Sequence, residues 1–330
     1  MPFSRMGGPD HRKWSWADEQ AWIGTFRLPY GKFRKDVSWA NPLLSPTVGK
    51  FDSSNVQFPC VVKKAHDGHD YWLFYTGYGG VPLAYRVGVA YGDTPWGPFT
   101  KGNGGDAIID LQAGPPAHNH DYCCSVMYDE IDGEWKMWFI GFWAGTGKMW
   151  RAHAAAPEGA WTVDGQCAAF PANWIATQGV KRMGNMYWAP YKTNVANNPV
   201  HVMYSDDGDT WVEHAQILIK GAAGEWDQTS LDYNSSYYSA GVFYVLYGGY
   251  DGVNTHIGSA TSPYGFRYGG ADDFFKHPLN PVLTVGAGGT WDDSLIGHPS
   301  LQMVDDVYYL WYMGYSGVAN SQKIGLAQNP

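Results

Sequence analysis

Long hydrophobic runs and clusters of basic residues are both absent from this sequence of 330 residues. No stretch approaches the roughly 20 apolar residues that a membrane-spanning helix needs, so we expect no membrane partner. The formal net charge is −9, and basic residues come together only in pairs such as the two lysines at 63–64. Because nucleic-acid binding requires a basic face, we expect no nucleic-acid partner.

Cysteine and glutamate are also scarce. The four cysteines, at 60, 123, 124 and 167, have the spacing of neither a zinc site nor a disulfide framework, so reduced, buried thiols are predicted. Only six of the 31 acidic residues are glutamate, and aspartate suits turns because it bonds to its own backbone. No signal peptide is visible, which leaves the location open between the cytoplasm and secretion after signal removal.

The chain is rich instead in aromatic residues and glycine. It contains 17 Trp, 23 Tyr, 14 Phe, 42 Gly and 20 Pro. Aromatic side chains favour strands, whereas glycine and proline favour the turns between strands. This composition predicts an all-β protein large enough to bury a sizeable core.

One pattern occurs repeatedly along the chain. The segment GEWDQTSLDYNSSYYSAGVFYVLYGGYDG at 224–252 aligns without a gap to GTWDDSLIGHPSLQMVDDVYYLWYMGYSG at 289–317. Further copies occupy 51–80 and 120–145, and the least regular copy runs over about 173–220. Groups of four alternating strands repeated five times predict a five-bladed β-propeller, with a single irregular β-sandwich as the alternative.

The last repeat ends after its third strand, and we expect an N-terminal strand at 36–46, DVSWANPLLSP, to complete the blade. This closure would remove free sheet edges. The predicted organisation is therefore an N-terminal extension at 1–35 and a catalytic propeller at 36–330. The extension is expected to cover the pocket rim or to contact a partner in a homodimer.

The chain resembles the five-bladed propeller glycoside hydrolases of families 43, 62, 32, 68, 117 and 130. The segments FPCVVKKAHDGHDYWLFYTGY, YRVGVAYGDTPWGPFTK and GHPSLQMVDDVYYLWYMGY carry this resemblance, together with the final KIGLAQNP. It extends over about 36–330. The resemblance implies a glycosidase with acidic catalytic residues, but the blade pattern is not specific for a substrate, and fold alone does not establish function.

The start of each innermost strand is the expected site, because these positions converge on one mouth of a propeller. The repeats place Gln57, His120 and Asp121, Arg182, Asp232 and Tyr233, and His298 at these starts. Glycoside hydrolysis requires two carboxyl groups or their substitutes. We therefore predict Asp121, Asp232 and His298 as catalytic, with Gln57, His120, Arg182, Trp188 and Tyr233 as substrate contacts.

The resemblance to family 43 implies an aspartate base, an aspartate that tunes a pKa, and a glutamate acid from the third blade. This chain departs from that pattern, since Phe58-Pro59 replaces Asp-Pro and GNMYWAPY contains no glutamate. Family 117 is more similar, because it uses a histidine as general acid beside two aspartates. His298 would then be the acid, held protonated by an adjacent carboxylate.

Several alternatives stay open. Asp52, Asp227 and Asp292 each follow an aromatic residue in a repeat, which favours turn-locking carboxylates, although Asp52 remains a reserve candidate for the base. Glu225 is either a displaced acid or a solvated turn residue. For Trp188, the competing interpretation is ordinary packing within a blade.

The segment HNHDYCC around Asp121 has the residue types of a metal site but too few ligands to specify one. We predict no catalytic metal and no cofactor, and leave open a structural cation in the central channel.

The sequence thus predicts a hydrolase of arabinose- or fructose-type furanosides, or of related oligosaccharides and polysaccharides, an arabinofuranosidase-like activity. Two alternatives have the same fold. One is a non-catalytic carbohydrate-binding propeller, and the other is a glycoside phosphorylase or transferase.

Overall fold

The computed structural model describes residues 31–36, 38–111, 120–143, 146–170, 174–177, 179–193, 198–239, 242–262, 274–317 and 321–329. The described chain is built from 20 strands, with a single short 3₁₀ turn at Asn103–Gly105. The prediction of an all-β protein is confirmed. None of the described residues form a helix of the length and apolarity needed to span a membrane.

The first two sheets are four-stranded meanders in which each strand pairs antiparallel with the next. The first contains β1 (Asn55–His66), β2 (His69–Gly79), β3 (Ala84–Gly92) and β4 (Thr100–Lys101). The second contains β5 (His120–Asp129), β6 (Glu134–Trp143), β7 (Thr146–Ala154) and β8 (Thr162–Gln166).

The third sheet differs because its innermost strand is interrupted. Two short strands, β9 (Trp174–Thr177) and β10 (Lys181–Met183), both pair with β11 (Met186–Thr193). The sheet continues through β12 (Val200–Ser205) and β13 (Val212–Leu218). This break explains why the third repeat is the least regular in sequence.

The remaining strands form two antiparallel groups joined by one parallel residue pair, Thr255 with Leu295. One group contains β14 (Ser230–Ser239), β15 (Val242–Tyr250), β16 (Thr255–Ser262) and β17 (Phe275–Lys276). The other contains β18 (Leu295–Val304), β19 (Val307–Tyr315) and β20 (Gln322–Asn329).

The N-terminal segment pairs with β20, the last strand. Arg34 exchanges two backbone hydrogen bonds with Gln328, at 2.8 and 2.9 Å, and Leu44 does so with Ile324, at 3.1 and 3.0 Å. Within the predicted strand at 36–46, the described residues thus form one isolated bridge, at Leu44, and the other bridge, at Arg34, lies in the predicted N-terminal extension. The prolines at 42 and 46 have no N–H group to donate, so this segment cannot form a continuous ladder.

The innermost strands are linked to one another in a circle. Three links share one design, in which the Oγ or Sγ atom of Ser300, Cys60 or Ser125 accepts a hydrogen bond from a backbone N–H of the next strand. The donors are, in that order, Val61 at 2.9 Å, Val126 at 3.2 Å and Val180 at 2.7 Å.

The other two links close the circle. The Ser236 hydroxyl of β14 donates to the Gly179 carbonyl between β9 and β10. Tyr237 of β14 and Met303 of β18 pack in one hydrophobic cluster. These links join β1, β5, the β9–β10 segment, β14 and β18 to one another in series. Cys60 is a buried structural thiol, and burial raises its pKa.

Three of the strand groups contain the same buried cluster, which we call the Asp–Tyr–Lys cluster. An aspartate accepts hydrogen bonds from a tyrosine hydroxyl and a lysine ammonium, and the ring of the preceding aromatic residue lies beside the tyrosine. The three clusters are Asp52–Tyr75–Lys101, Asp227–Tyr247–Lys276 and Asp292–Tyr312–Lys35. Lys35 comes from the N-terminal segment, whereas the lysines of the other two clusters come from β4 and β17.

Candidate functional site

The innermost strands β1, β14 and β18 share an irregularity close to the axis. Each has a register shift, between Gln57 and Cys60, between Asp232 and Ser235, and between Gly297 and Ser300. Such a bulge bends the strand and changes the direction of a side chain. Phe58 and His298 lie within two of these bulges with φ of 55° and 49°.

Left-handed backbone is unfavourable for such bulky residues, at a cost on the order of 1–3 kcal/mol each. The two residues occupy equivalent positions of their repeats, before Pro59 and Pro299, and glycine, which has no Cβ atom, would adopt this backbone with less strain. The protein therefore maintains two strained residues side by side, with ring centroids 3.7 Å apart. Strain of this kind is characteristic of functional sites.

The charged part of the site is an ion pair between Asp232 and Lys192. Asp232 lies at the start of β14, and Lys192 extends from β11 of the preceding sheet to bind one of its carboxylate oxygens. Both side chains are about one-fifth exposed, at 21%. The Ser230 hydroxyl donates to the second oxygen at 3.4 Å. Lys192 has no counterpart in the repeats, so sequence reasoning did not find it.

His298 lies next to this pair but is 3% exposed. Burial lowers the pKa of His298 well below 6.5, and the positive charge of Lys192 lowers it further. The imidazole is therefore neutral near pH 7. The expectation that an adjacent carboxylate holds His298 protonated does not describe this structure, because the charge acting on the ring is a lysine.

The other side of the mouth is an aromatic surface, which we call the aromatic wall. It is formed by Phe58 of β1, Tyr78 of β2, Tyr85 of β3, and His120 and Tyr122 of β5. Ring centroids are 4.4 Å apart for Tyr78 and Tyr85, 4.7 Å for Tyr85 and Tyr122, and 5.6 Å for Tyr122 and Phe58. All five side chains are partly exposed.

His120 joins the wall through Tyr85. The Tyr85 N–H donates to Nδ1 of His120 at 3.4 Å, and the two rings meet edge to face at 5.0 Å. An accepting Nδ1 places the proton of the neutral ring on Nε2. Burial lowers the pKa of His120, and the negative charge of Asp121 acts in the opposite direction.

Two buried amides at the strand starts have unsatisfied atoms. Gln57 is 4% exposed and Asn234 is 3% exposed. Nε2 of Gln57 and Oδ1 of Asn234 have no hydrogen-bond partner among the described residues. A buried polar atom without a partner costs about 1–3 kcal/mol, which is regained when a ligand supplies the partner.

Asp121 does not occupy the position that the sequence alignment assigned to it. In strand register it lies opposite Gly141, as Val56, Leu231 and Ile296 lie opposite Gly77, Gly249 and Gly314. These four inner-strand side chains are all fully buried. The residue equivalent to Asp232 is therefore Tyr122, and a one-residue slip moves a side chain to the other face of a strand.

The Asp121 carboxylate is accordingly bound by protein. It accepts a hydrogen bond from the backbone N–H of Leu111 at 3.0 Å. The sequence prediction that Asp121 and Asp232 occupy equivalent positions is therefore wrong. Aligning the repeats on the glycine of each second strand, such as Gly141 and Gly249, would have given the correct register.

Arg182 also lies away from the mouth. It belongs to β10, the far half of the interrupted strand, and its guanidinium is 2.5 Å from Asp129 at the far end of β5. Tyr187 and Lys136 bind the same carboxylate at 2.7 and 3.1 Å. These partners lower the pKa of Asp129 against the opposing effect of burial. Arg182 is therefore bound to Asp129 and lies apart from Asp232 and Lys192, and its role as a sugar contact stays a prediction.

Three of the remaining predicted residues lie in the scaffold, and the rest lie outside the described part of the structure. Trp188 packs between Tyr204 and His214, with ring centroids 5.3 Å from each, which is the blade-packing alternative. Asp52 is fully buried in an Asp–Tyr–Lys cluster, and the Glu225 side chain accepts a hydrogen bond from Ala222 within its own turn. The Tyr233 side chain and residues 1–30 lie outside the described part of the structure.

No metal centre is formed by the described residues, since no three His, Cys, Asp or Glu side chains come together. His118 and the side chains of Cys123 and Cys124 lie outside the described part, so this finding does not cover them.

Comparison of sequences finds no matching protein-family model and no matching curated protein. Comparison of structures does find similar proteins. A glycosyl hydrolase from Bacteroides ovatus superposes with a TM-score of 0.68 at 16% identity, covering 90% of this chain and 93% of that one. A thermostable family-43 glycoside hydrolase has a TM-score of 0.63 at 14% identity, over 86% and 92% of the chains.

A third similar structure comes from the GH130 family. This family is described as mannoside phosphorylases that include glycoside hydrolases targeting β-1,2 mannosidic linkages in Candida mannan. The TM-score is 0.60 at 16% identity, covering 91% of this chain and 94% of that one. The resemblance inferred from sequence is confirmed at the level of fold: the chain has the β-propeller-like fold of glycoside hydrolases.

Proposed function

We propose that this protein is a glycosidase that cleaves furanosidic or related oligosaccharides at the mouth where the innermost strands start. The observation that carries the proposal is the Asp232–Lys192 ion pair, which lies at that mouth in a fold shared with glycoside hydrolases. An ionised carboxylate can activate water or attack the anomeric carbon. Lys192 stabilises this charge while leaving the group partly exposed to a substrate.

The proposal includes five blades around one axis. The circle of links among β1, β5, β9 with β10, β14 and β18 supports this count. The single parallel pair between β16 and β18 then joins two neighbouring blades rather than two halves of one sheet. The N-terminal segment completes the last blade through Lys35 and the bridges at Arg34 and Leu44.

The two imidazoles at the mouth, His120 and His298, are the candidate proton-transfer groups. Burial lowers the pKa of both, so each is neutral and can accept a proton near pH 7. His298 remains the proposed catalytic partner of Asp232. Burial and the charge of Lys192 both lower its pKa, so His298 is neutral in the resting enzyme, and acid catalysis by His298 would first require its protonation. Asp121 acts through its charge on His120.

A glycoside phosphorylase is the second candidate. Its support is Lys192, a partly exposed ammonium group at the mouth, which can attract an anion such as inorganic phosphate. In that reaction phosphate replaces water as the group that attacks the anomeric carbon. The similar GH130 fold includes enzymes described as mannoside phosphorylases.

The test is a turnover screen of the purified protein on aryl arabinofuranosides, arabinan, fructans and β-1,2-manno-oligosaccharides, each with and without inorganic phosphate. We expect turnover that falls about 10²- to 10⁴-fold in Asp232→Asn. Asp206→Asn, an exposed turn aspartate, is the matched control and should be unaffected. Dependence on phosphate would identify the phosphorylase.

Two results would contradict the hydrolase proposal. Unchanged turnover in Asp232→Asn would place the chemistry elsewhere. Binding of sugars without turnover of any glycoside would instead indicate a non-catalytic carbohydrate-binding propeller.

A further inference from the structure

The mouth has two chemically different halves. Asp232 and Lys192 come from β14 and β11, whereas the aromatic wall comes from β1, β2, β3 and β5. In the circle of inner strands, β18 lies between β14 and β1, and its His298 contacts Phe58 of the wall. One half thus contains an ion pair and the other contains aromatic rings, and His298 lies between the two halves.

Ordinary core packing does not explain the wall. Phe58, Tyr78, Tyr85 and Tyr122 belong to none of the hydrophobic clusters that the described residues form between the sheets. Each of the four is partly exposed. A contiguous, partly exposed set of aromatic rings beside a concave site is the usual lining of a ligand pocket.

The wall is also held rigidly. Arg86, 5% exposed, follows Tyr85 and donates to the carbonyls of Gly79 and Pro82, each at 3.2 Å. It is paired with Asp110 at 2.7 Å. These bonds secure the β2–β3 turn, which carries Tyr78 on one side and Tyr85 on the other. The rings are therefore positioned before any ligand binds, which reduces the entropy lost on binding.

A donor with no partner lies beside the wall. Gln57 occupies on β1 the register position that Tyr122 has on β5 and Asp232 on β14. Its Nε2 has no acceptor at hydrogen-bond distance among the described residues although the side chain is buried. The amide lies near the Tyr85 hydroxyl, where it lowers the pKa of that phenol against the larger, raising effect of burial. A hydroxyl-rich ligand that lies against the rings would supply the missing acceptor.

We propose that Phe58, Tyr85, Tyr122 and Gln57 form a stacking subsite for a second sugar unit, separate from the charged half that holds the unit being processed. The C–H face of a sugar ring is electropositive and packs on the electronegative faces of aromatic rings. Gln57 and the Nε2–H of His120 orient the sugar hydroxyls. The protein then prefers oligosaccharides of two or more units to monosaccharide derivatives. This inference rests on the proposed function.

The test measures binding, so that it does not depend on turnover. Asp232→Asn protein is titrated calorimetrically with arabino-, fructo- and β-1,2-manno-oligosaccharides of one to four units. We expect affinity in at least one series to rise about tenfold or more between one and two units. Adding Tyr85→Ala or Tyr122→Ala should remove about three- to tenfold of that gain per ring.

Two further variants distinguish loss of the subsite from loss of the fold. Tyr85→Phe retains the ring and should retain the gain, and Gln57→Ala should weaken binding of the two-unit sugar without affecting the monosaccharide. Trp96→Ala is the matched control, because Trp96 is an aromatic residue that is 43% exposed outside the mouth. An affinity gain that survives loss of both tyrosine rings, or no gain in any series, overturns the subsite.

The subsite and the proposed function can fail separately. Length-dependent binding that needs Tyr85 and Tyr122, without turnover of any glycoside, supports the subsite and refutes the enzyme. Turnover that needs Asp232, with affinity independent of chain length, supports the enzyme and refutes the subsite.

Discussion

Among the aspartate–lysine pairs of the described residues, the Asp–Tyr–Lys clusters and the Asp232–Lys192 pair differ most clearly in burial and in repetition. In the Asp–Tyr–Lys clusters the aspartates are almost fully buried, at 0% to 2% exposed, and each also accepts a hydrogen bond from a tyrosine. The Asp232–Lys192 pair occurs once, is about one-fifth exposed on both sides, and has no tyrosine partner in the repeated arrangement.

The repeated clusters bind the strands of a group together. Trp291 illustrates the packing, since its ring lies between Gly314 of β19 and Gly325 of β20, while Tyr312 stacks on it at 5.6 Å. A side chain that recurs with its partners in several strand groups therefore serves the scaffold. A carboxylate near the strand starts without repeated partners, such as Asp232, is therefore a better candidate for catalysis than the aspartates of the clusters.

The largest effect on stability is expected for Asp52→Asn, which breaks the most deeply buried of these pairs, with Lys101 14% exposed. Removing one partner of a buried ion pair costs about 3–5 kcal/mol in the free energy of unfolding. Denaturant titration measures this cost. Because Asp52 is a scaffold residue in this comparison, turnover per folded molecule should be unchanged.

The milder Tyr75→Phe variant, which removes only the hydrogen bond from the tyrosine hydroxyl to Asp52, provides a second measurement if Asp52→Asn does not fold. A fall in turnover without a fall in stability would restore Asp52 as the base and break the comparison.

A smaller effect is expected for Gly314→Ala. A Cβ atom there would lie 2.3 Å from the Trp291 ring and 2.5 Å from the Asp292 side chain. Overpacking of this kind costs about 1–3 kcal/mol. Gly288→Ala is the matched control in the preceding loop, where an added Cβ meets no atom within 4 Å. Equal stability of the two variants would show that the cluster tolerates displacement.

Stability should also fall at acidic pH because of His298. Its pKa is lowered in the folded protein, so between its ordinary value of 6.5 and the lowered value the unfolded chain binds a proton that the folded chain does not. The free energy of unfolding then decreases as pH falls below about 6.5, by up to about 1.4 kcal/mol per pH unit.

The pKa values of His120 and His256 are also lowered, and both act in the same direction. His298→Asn, which tolerates a positive φ, should therefore reduce the slope of stability against pH rather than abolish it. An unchanged slope in this variant would mean that the pKa of His298 is the same in the folded and the unfolded protein.

The smallest effect on stability is expected for Lys192→Met. Partly exposed ion pairs contribute about 0.2–1 kcal/mol, so denaturant titration should show little change. Turnover should nevertheless decrease, and the pKa of His298, followed by NMR, should rise because a nearby positive charge is lost. Large destabilisation with unchanged turnover would make this pair equivalent to the Asp–Tyr–Lys clusters.

The repeats in the sequence were sufficient to predict the strand content, and they indicated that the N-terminal segment pairs with the last strand, although not through a continuous strand at 36–46. Alternation and turn residues are local signals, and similarity between copies shows which segments have the same environment. The same signals predicted that Asp232, Gln57, His120 and His298 lie at strand starts. They failed in the third repeat, where the innermost strand is interrupted and Arg182 falls on its far half.

Strand register and contacts between sheets were decided only by the tertiary structure. An offset of one residue separates the buried position of Asp121 from the position of Tyr122 on the opposite face. Similarity between repeats does not determine the register to one residue beside a bulge. Lys192 is 40 positions from Asp232 in sequence. The sequence alone determined which elements form, because strand formation is local. Only the closed arrangement of sheets brought these side chains together, because their contacts are long-range.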